Sequence, residues 1–227
     1  MTNSIEELIS KGTHCIEIGK PFDALDNFRK VLDIERTNVN AWKGCAMAWD
    51  WIITSTPPSE DTKKPAQQSE QCWSRLIQLD SSNPEYFMNK GYVCQYYLDN
   101  SDTAMNCYRS ALELDNSQSM VWMNIGVIFS NASDWENALD SYKKAIALDN
   151  KSKSIWLNFG ITYARMKNFE KALECFDHST QLDDSFVDGW KAKCQILDDL
   201  GRYDEAKVCG EKNYELLRTS NKIHIDC

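Results

Sequence analysis

Residues 119–152 read SMVWMNIGVIFSNASDWENALDSYKKAIALDNKS, and residues 153–186 read KSIWLNFGITYARMKNFEKALECFDHSTQLDDSF. The second stretch repeats the first. Trp122, Ile125, Gly126, Phe129, Ala138, Tyr142 and Ala145 become Trp156, Phe159, Gly160, Tyr163, Ala172, Phe176 and Ser179, each 34 residues further on. Within each half, steps of three, four and seven mark one face of an α-helix. Polar segments, Asn131 to Asp134 and Lys167-Asn168, separate the halves. Each unit therefore predicts two antiparallel helices, a leading one and a trailing one.

The same beat extends in both directions. Trp190 follows Trp156 by 34 residues, and Trp42 follows Leu8 by 34. The dipeptides Leu79-Asp80, Leu114-Asp115, Leu148-Asp149 and Leu182-Asp183 close successive units. The spacing predicts six repeats, at 5–38, 39–83, 84–118, 119–152, 153–186 and 187–218, with a tail at 219–227. Gly12, Ala46, Gly91, Gly126, Gly160 and Cys194 share one leading-helix position. Ala24, Ser69, Ala104, Ala138, Ala172 and Ala206 share one trailing-helix position. Beside these small residues stand Leu8, Trp42, Phe87, Trp122, Trp156 and Trp190, and across from them Phe28, Trp73, Tyr108, Tyr142 and Phe176. Large and small alternate as in a packed interface, so the tryptophans read as core.

In these residues the chain resembles the tetratricopeptide repeat family, whose unit is about 34 residues long. The resemblance covers residues 4 to about 218. It implies an all-α fold, a right-handed α-α superhelix of six helix–turn–helix repeats. Its concave surface would be lined mainly by leading helices. One helix pair cannot bury its apolar face alone, so neighbours must stack. The resemblance also implies a non-catalytic interaction scaffold or adaptor that holds a peptide segment in the concave groove.

Three repeats depart from the pattern. Repeat 2 is 11 residues longer than the 34-residue unit, and Thr54 to Pro65, TSTPPSEDTKKP, is read as a surface loop because its prolines oppose a helix. Repeat 3 gains one residue near Asp99 to Asp102. Repeat 6 carries Gly210 and Asn213 where aromatic and Ala are usual, so its trailing helix reads as a water-facing C-terminal cap with a frayed tail from Thr219.

Candidate groove residues follow from register. Asn89, Asn124 and Asn158 stand two before the glycine in repeats 3 to 5, on the side of the helix away from the Trp/Gly face. A side-chain amide both donates and accepts, so such a row suits an extended peptide backbone. It resembles the asparagine ladder of the O-linked N-acetylglucosamine transferase repeats. Met88, Met123 and Leu157 precede the asparagines, and Tyr92, Val127 and Ile161 follow three later, giving an apolar floor. Lys43 lies at one end; Asp188, Asp198 and Asp199 lie at the other, with Lys191 among them. The expected partner is a protein or peptide segment, apolar with basic character. The carboxylate clamp of chaperone-tail binders is not reproduced, since Ile9, Thr13 and Gly44 occupy its leading positions. The alternative is a structural subunit or self-associating oligomer that uses the solenoid edges.

Composition narrows the class further. The chain has 227 residues and a formal charge of −9. Such a surface repels phosphate backbones, which argues against nucleic acid. No apolar stretch reaches membrane-span length, and no signal-like N-terminus is seen, so a cytoplasmic location is expected. Nine cysteines, with no CxxC pair, argue against both a disulfide framework and a metal site. Cys72, Cys107, Cys175 and Cys209 recur at one repeat position and read as small buried apolar groups. His14, His178 and His224 join no catalytic or metal-spaced arrangement, and neither an enzyme nor a cofactor is expected.

Overall fold

The computed structural model describes residues 4–56 and 59–223. Among these residues there are twelve helices and no strand. They are α1 (Ile5–Glu17), α2 (Pro21–Ile34), α3 (Val39–Thr54), α4 (Glu60–Leu79), α5 (Pro84–Tyr96), α6 (Ser101–Leu114), α7 (Ser119–Asn131), α8 (Trp135–Leu148), α9 (Lys153–Arg165), α10 (Phe169–Leu182), α11 (Val187–Asp199) and α12 (Tyr203–Ile223). They pair as six hairpins in two compact units, Met1–Asn116 and Ser117–Cys227. In the first unit α2 packs on α3 and α4 on α5; in the second α8 packs on α9 and α10 on α11. Within each unit, α2, α4, α8 and α10 thus touch both their own partner and the next leading helix. No helix among the described residues is long and apolar enough to cross a membrane.

The helix ends follow local chemistry. Ser4, Asn38, Asn83, Asn100, Asp134 and Asn168 precede helices and accept a hydrogen bond from a first-turn backbone N–H. Among the described residues, five hairpin turns contain one residue with positive φ: Gly19, Asp99, Ser133, Lys167 and Gly201. That left-handed step reverses the chain within three or four residues.

Within the hairpins, small residues admit rings. A methyl group placed on Gly91 would lie 2.6 Å from the Tyr108 ring, and on Gly160 2.5 Å from Phe176. Gly12 and Gly44 both face Phe28, at 2.7 and 2.3 Å. Trp73, Tyr108, Tyr142, Phe28 and Phe176 are buried. The leading-helix tryptophans are half-buried, because each also reaches back over the preceding turn. The indole N–H of Trp42 donates to the Arg36 carbonyl (2.8 Å), that of Trp156 to Asn150 (3.0 Å) and that of Trp190 to Asp184 (2.9 Å).

The insertion in repeat 2 is helix, not a loop across 54–65. Of its eleven extra residues, three extend α3, six extend α4 and two lengthen the connection. Ser59 and Thr62 form a reciprocal capping box that starts α4 ahead of Pro65. Pro65 removes one N–H from the helix, and the carbonyl it would have bonded belongs to exposed Asp61, which water can reach. Pro57 and Pro58 lie outside the described residues.

Repeat 6 differs from expectation twice. First, α12 runs to Ile223, past the expected start of the tail, and its exposed residues mix apolar Tyr203, Val208, Tyr214 and Leu217 with charged Lys207, Glu211, Glu215 and Arg218. The rest of the tail, from His224, lies outside the described residues. Second, Cys194 and Cys209 form a disulfide between α11 and α12. Their spacing in sequence hid a pairing that only repeat register reveals. Burial of Cys45, Cys72, Cys94, Cys107 and Cys175 matches the apolar reading, and raises the thiol pKa in each case.

Gly210 sits inside α12 with open space where a methyl group would go. Gly210→Ala is therefore expected to stabilise the protein by about 0.5–1 kcal/mol, through backbone entropy alone. Urea unfolding of the two proteins side by side measures it.

Candidate functional site

The leading helices place the candidate residues on one side of each unit. Their fates differ with depth. Asn124 is 4% exposed and Met123 5%. Neither lines an open surface, which corrects the expected amide row. Asn158 is half-buried, and its amide nitrogen donates to the Ser154 carbonyl (2.9 Å) and contacts the Met123 sulfur (3.7 Å). The cause is packing of α7 against α9, which turns this helix position into a seam. The seam continues through Thr162, whose hydroxyl meets Ser130 at 3.0 Å, and Arg165, which donates to the Asn131 side-chain oxygen at 2.6 Å. Asn89 and Met88 are half-buried on α5. Val127, Leu157 and Ile161 are half-buried and pack into the core clusters of the second unit. Tyr92 is exposed.

The seam opens where the amide is replaced by a small residue. Gly44 takes the asparagine position on α3, and Ala192 takes it on α11. Beside Gly44, α1 and α3 enclose a hollow of about 300 Å³ with Phe28 as its floor and Ile9, Ile16 and Met47 as apolar walls. Glu17, Asn40 and Lys43 stand at its rim. Beside Ala192, α9 and α11 enclose about 310 Å³, with Phe176 in the floor position, Ile161 and Ile196 as walls, and Arg165 and Asp199 at the rim. Each hollow has room for a large apolar side chain, with hydrogen-bonding and charged groups at its mouth. Lys43 pairs with Glu85 of α5 at 2.9 Å, both partly exposed, so its charge is shared rather than free.

The first unit also exposes large apolar side chains on the leading helices α3 and α5. Met47 and Trp51 of α3 are 45% and 39% exposed, and Tyr92 and Tyr96 of α5 are each 38% exposed. The Tyr92 ring lies 4.7 Å from Tyr96 and 6.1 Å from Tyr97. Burial first, and the neighbouring Tyr92 second, push the Tyr96 and Tyr97 phenols up to about 12. They stay neutral hydrogen-bond donors throughout the ordinary pH range. Met47, Trp51 and Tyr96 escaped the sequence reading. The signal was a four-residue step, 43–47–51 on α3 and 88–92–96 on α5, which keeps side chains on one helix stripe.

Comparison with known proteins bears on the fold. Tetratricopeptide repeat family models match residues 84–118, 121–154 and 154–186. These three units are tetratricopeptide repeats by sequence, and the other hairpins share their fold. No curated protein matches it by sequence. Among solved structures, YrrB, described as a TPR protein with an unusual peptide-binding site, is 19% identical with a TM-score of 0.60, covering 84% of this chain and 92% of that one. The APC/C hetero-tetramer Cut9–Hcn1 is 16% identical with a TM-score of 0.74, covering 94% of this chain and 40% of that one. Human IFIT1, a dimer with m7Gppp-AAAA, is 16% identical with a TM-score of 0.71, covering 93% of this chain and 50% of that one. At such identities the likeness is one of fold.

Proposed function

We propose that this protein is a non-catalytic scaffold that holds a segment of another protein on the leading-helix face of its first unit. The observation that carries the proposal is the Phe28-floored hollow with half-exposed Met47 in its wall, in a unit that also exposes Trp51, Tyr92 and Tyr96. An apolar anchor of the partner fills the hollow, and neighbouring apolar residues cover the aromatics and the adaptable methionine. Exposed Glu17 at the rim and a net charge of −9 favour a basic residue beside that anchor. The same charge disfavours RNA, despite the ligand that IFIT1 carries. The proposed setting is the cytoplasm. The peptide site named for YrrB is a precedent for this use of the fold.

Fluorescence anisotropy with labelled peptides tests the proposal. Apolar peptides with a basic residue should bind best. Met47→Glu and Tyr92→Glu should weaken them by about 10-fold or more, because a charge then meets the apolar ligand. Best binding by acidic peptides or by an RNA oligonucleotide, or indifference to both substitutions, would refute it.

A second reading rests on a different observation. Exposed Tyr214 of α12 stands at the repeat position of Thr180, which on α10 lies against Gly189 of the next leading helix. A subunit built into a larger assembly would use it so, and Cut9–Hcn1 is an assembly of this fold. Light scattering across a concentration series distinguishes self-association from a lone monomer.

A further inference from the structure

In four hairpins a glycine on the leading helix receives an aromatic ring from the trailing helix: Gly12 with Phe28, Gly91 with Tyr108, Gly126 with Tyr142 and Gly160 with Phe176. The last hairpin inverts this joint. Cys194 stands at the glycine position, and Gly210 stands at the aromatic position, with open space around it. No ring from α12 is seated on α11 at this joint, although Trp190 of α11 lies against Lys212 of α12. What joins the two helices there is the Cys194–Cys209 disulfide, whose Cα atoms are 5.5 Å apart.

Repeat 5 shows why these two positions meet. A methyl group placed on Gly160 would lie 3.0 Å from the Cβ of Cys175. Gly160 and Cys194 are equivalent, and so are Cys175 and Cys209. A cysteine recurs at the trailing position in four repeats, as Cys72, Cys107, Cys175 and Cys209, but only repeat 6 places a second cysteine at the glycine position. The hairpin with the weakest ring packing is thus the one with a sulfur joint.

We propose that Cys194 and Cys209 are a reversible thiol–disulfide site that sets how firmly the last hairpin closes. The co-reactant is a low-molecular-weight disulfide, RSSR. The thiolate of half-buried Cys194 attacks one sulfur of RSSR, giving a mixed disulfide and releasing the first RSH after proton uptake. Cys209 then attacks the Cys194 sulfur and releases the second RSH. Two protein thiols and RSSR become one protein disulfide and two RSH; two electrons leave the protein, and its two thiol protons are balanced by those on the products. A hollow of about 590 Å³, lined by Trp190, Leu197, Val208 and Cys209, opens on the Cys209 side of the pair. In the reduced state the Cys209 thiol has an acceptor at hand, the Trp190 carbonyl at 3.4 Å. The proposal is independent of the binding surface on the first unit.

The test equilibrates the full chain with reduced and oxidised glutathione at varied ratios, alkylates free thiols and maps them by mass spectrometry. Hydrogen exchange is read on the same samples. Cys194 and Cys209 should become protected together as the oxidised fraction rises. Exchange in α11 and α12 should slow on the order of 100-fold, as closing a 15-residue loop implies, while α7 and α8 stay unchanged. Cys194→Ser should fix exchange at the reduced level in every buffer, and Cys15→Ser should leave the response intact. Independent alkylation of the two cysteines, equal exchange in both states, or a persisting response in Cys194→Ser would overturn the proposal.

Discussion

Gly44→Ala is expected to destabilise the protein by about 3 kcal/mol, although alanine for glycine inside an exposed helix normally stabilises. The added methyl group would lie 2.3 Å from Phe28 Cζ, well inside contact distance. The ring has little room to retreat, because it is buried and also packs close to α1, where a methyl group placed on Gly12 would lie 2.7 Å from it. Over-packing at such a site forces an off-rotamer ring or parted helices. Phe28→Leu should relieve the clash, so the double variant should lose less than the two single losses added together. Urea unfolding of the four proteins measures this. A Gly44→Ala protein within about 0.5 kcal/mol of wild type would sink the idea that these glycines exist to admit rings. The displaced ring is also the floor of the first hollow, so the same substitution should weaken peptide binding.

That joint was legible in the sequence because core packing repeats. A glycine and a ring recurring at fixed offsets in several units leave little choice of fold. What stayed hidden was whatever depends on a single residue's neighbours. The stretch around Pro65 was misread because proline was weighed as a breaker in isolation. Ser59 and Thr62, three apart, carried the opposing signal, a helix start strong enough to absorb one missing N–H. The Cys194–Cys209 pairing was missed for a related reason. Cysteines were compared by sequence spacing, whereas register alone shows that two of them fall at facing positions.

The candidate site was legible in its side and not in its depth. Asn89, Asn124 and Asn158 do lie away from the Trp/Gly face. Periodicity gives the angle of a residue around its helix but not how close the next leading helix comes. On α7 and α9 that neighbour is near enough to cover Met123 and to engage the Asn158 amide. The amides fill seams, and the hollows appear where Gly44 and Ala192 replace them. Lys43 fell at a hollow's rim, and Tyr92 fell on the exposed surface, because both sit on stripes that the seam does not reach.

A rule of pairing within the hairpins leads to the second large effect. Four residues beyond the small position, polarity follows the ring across from it. Gln95 accepts from the Tyr108 hydroxyl at 2.8 Å, and Asp50 accepts from the Trp73 indole at 3.1 Å and from the Ser69 hydroxyl. Where the ring is phenylalanine, the residue is apolar: Ile16 opposite Phe28 and Ala164 opposite Phe176. Asp50 is the one carboxylate in this set of four. Burial pushes its pKa up to about 6 from 3.8, and the bonds from Ser69 and Trp73 offset only part of that. The folded state therefore holds this proton more tightly than the unfolded chain does. Its contribution to stability is fully present below pH 3.8 and is lost as pH rises through about 6. A shift of about two units corresponds to about 3 kcal/mol.

Asp50→Asn removes the titration and keeps the shape: its carbonyl oxygen accepts from Trp73, and its amide donates to Ser69. The variant and wild type should be similarly stable near pH 3.5, and the variant should gain by about 3 kcal/mol relative to wild type by pH 7.5. Urea unfolding of both proteins at several pH values between these limits reads the difference directly, and titrations shared by the two proteins cancel in it. A difference that stays flat across the range would mean that the carboxylate is solvated well enough to titrate normally, and the paired-polarity rule would then carry no electrostatic cost at this position.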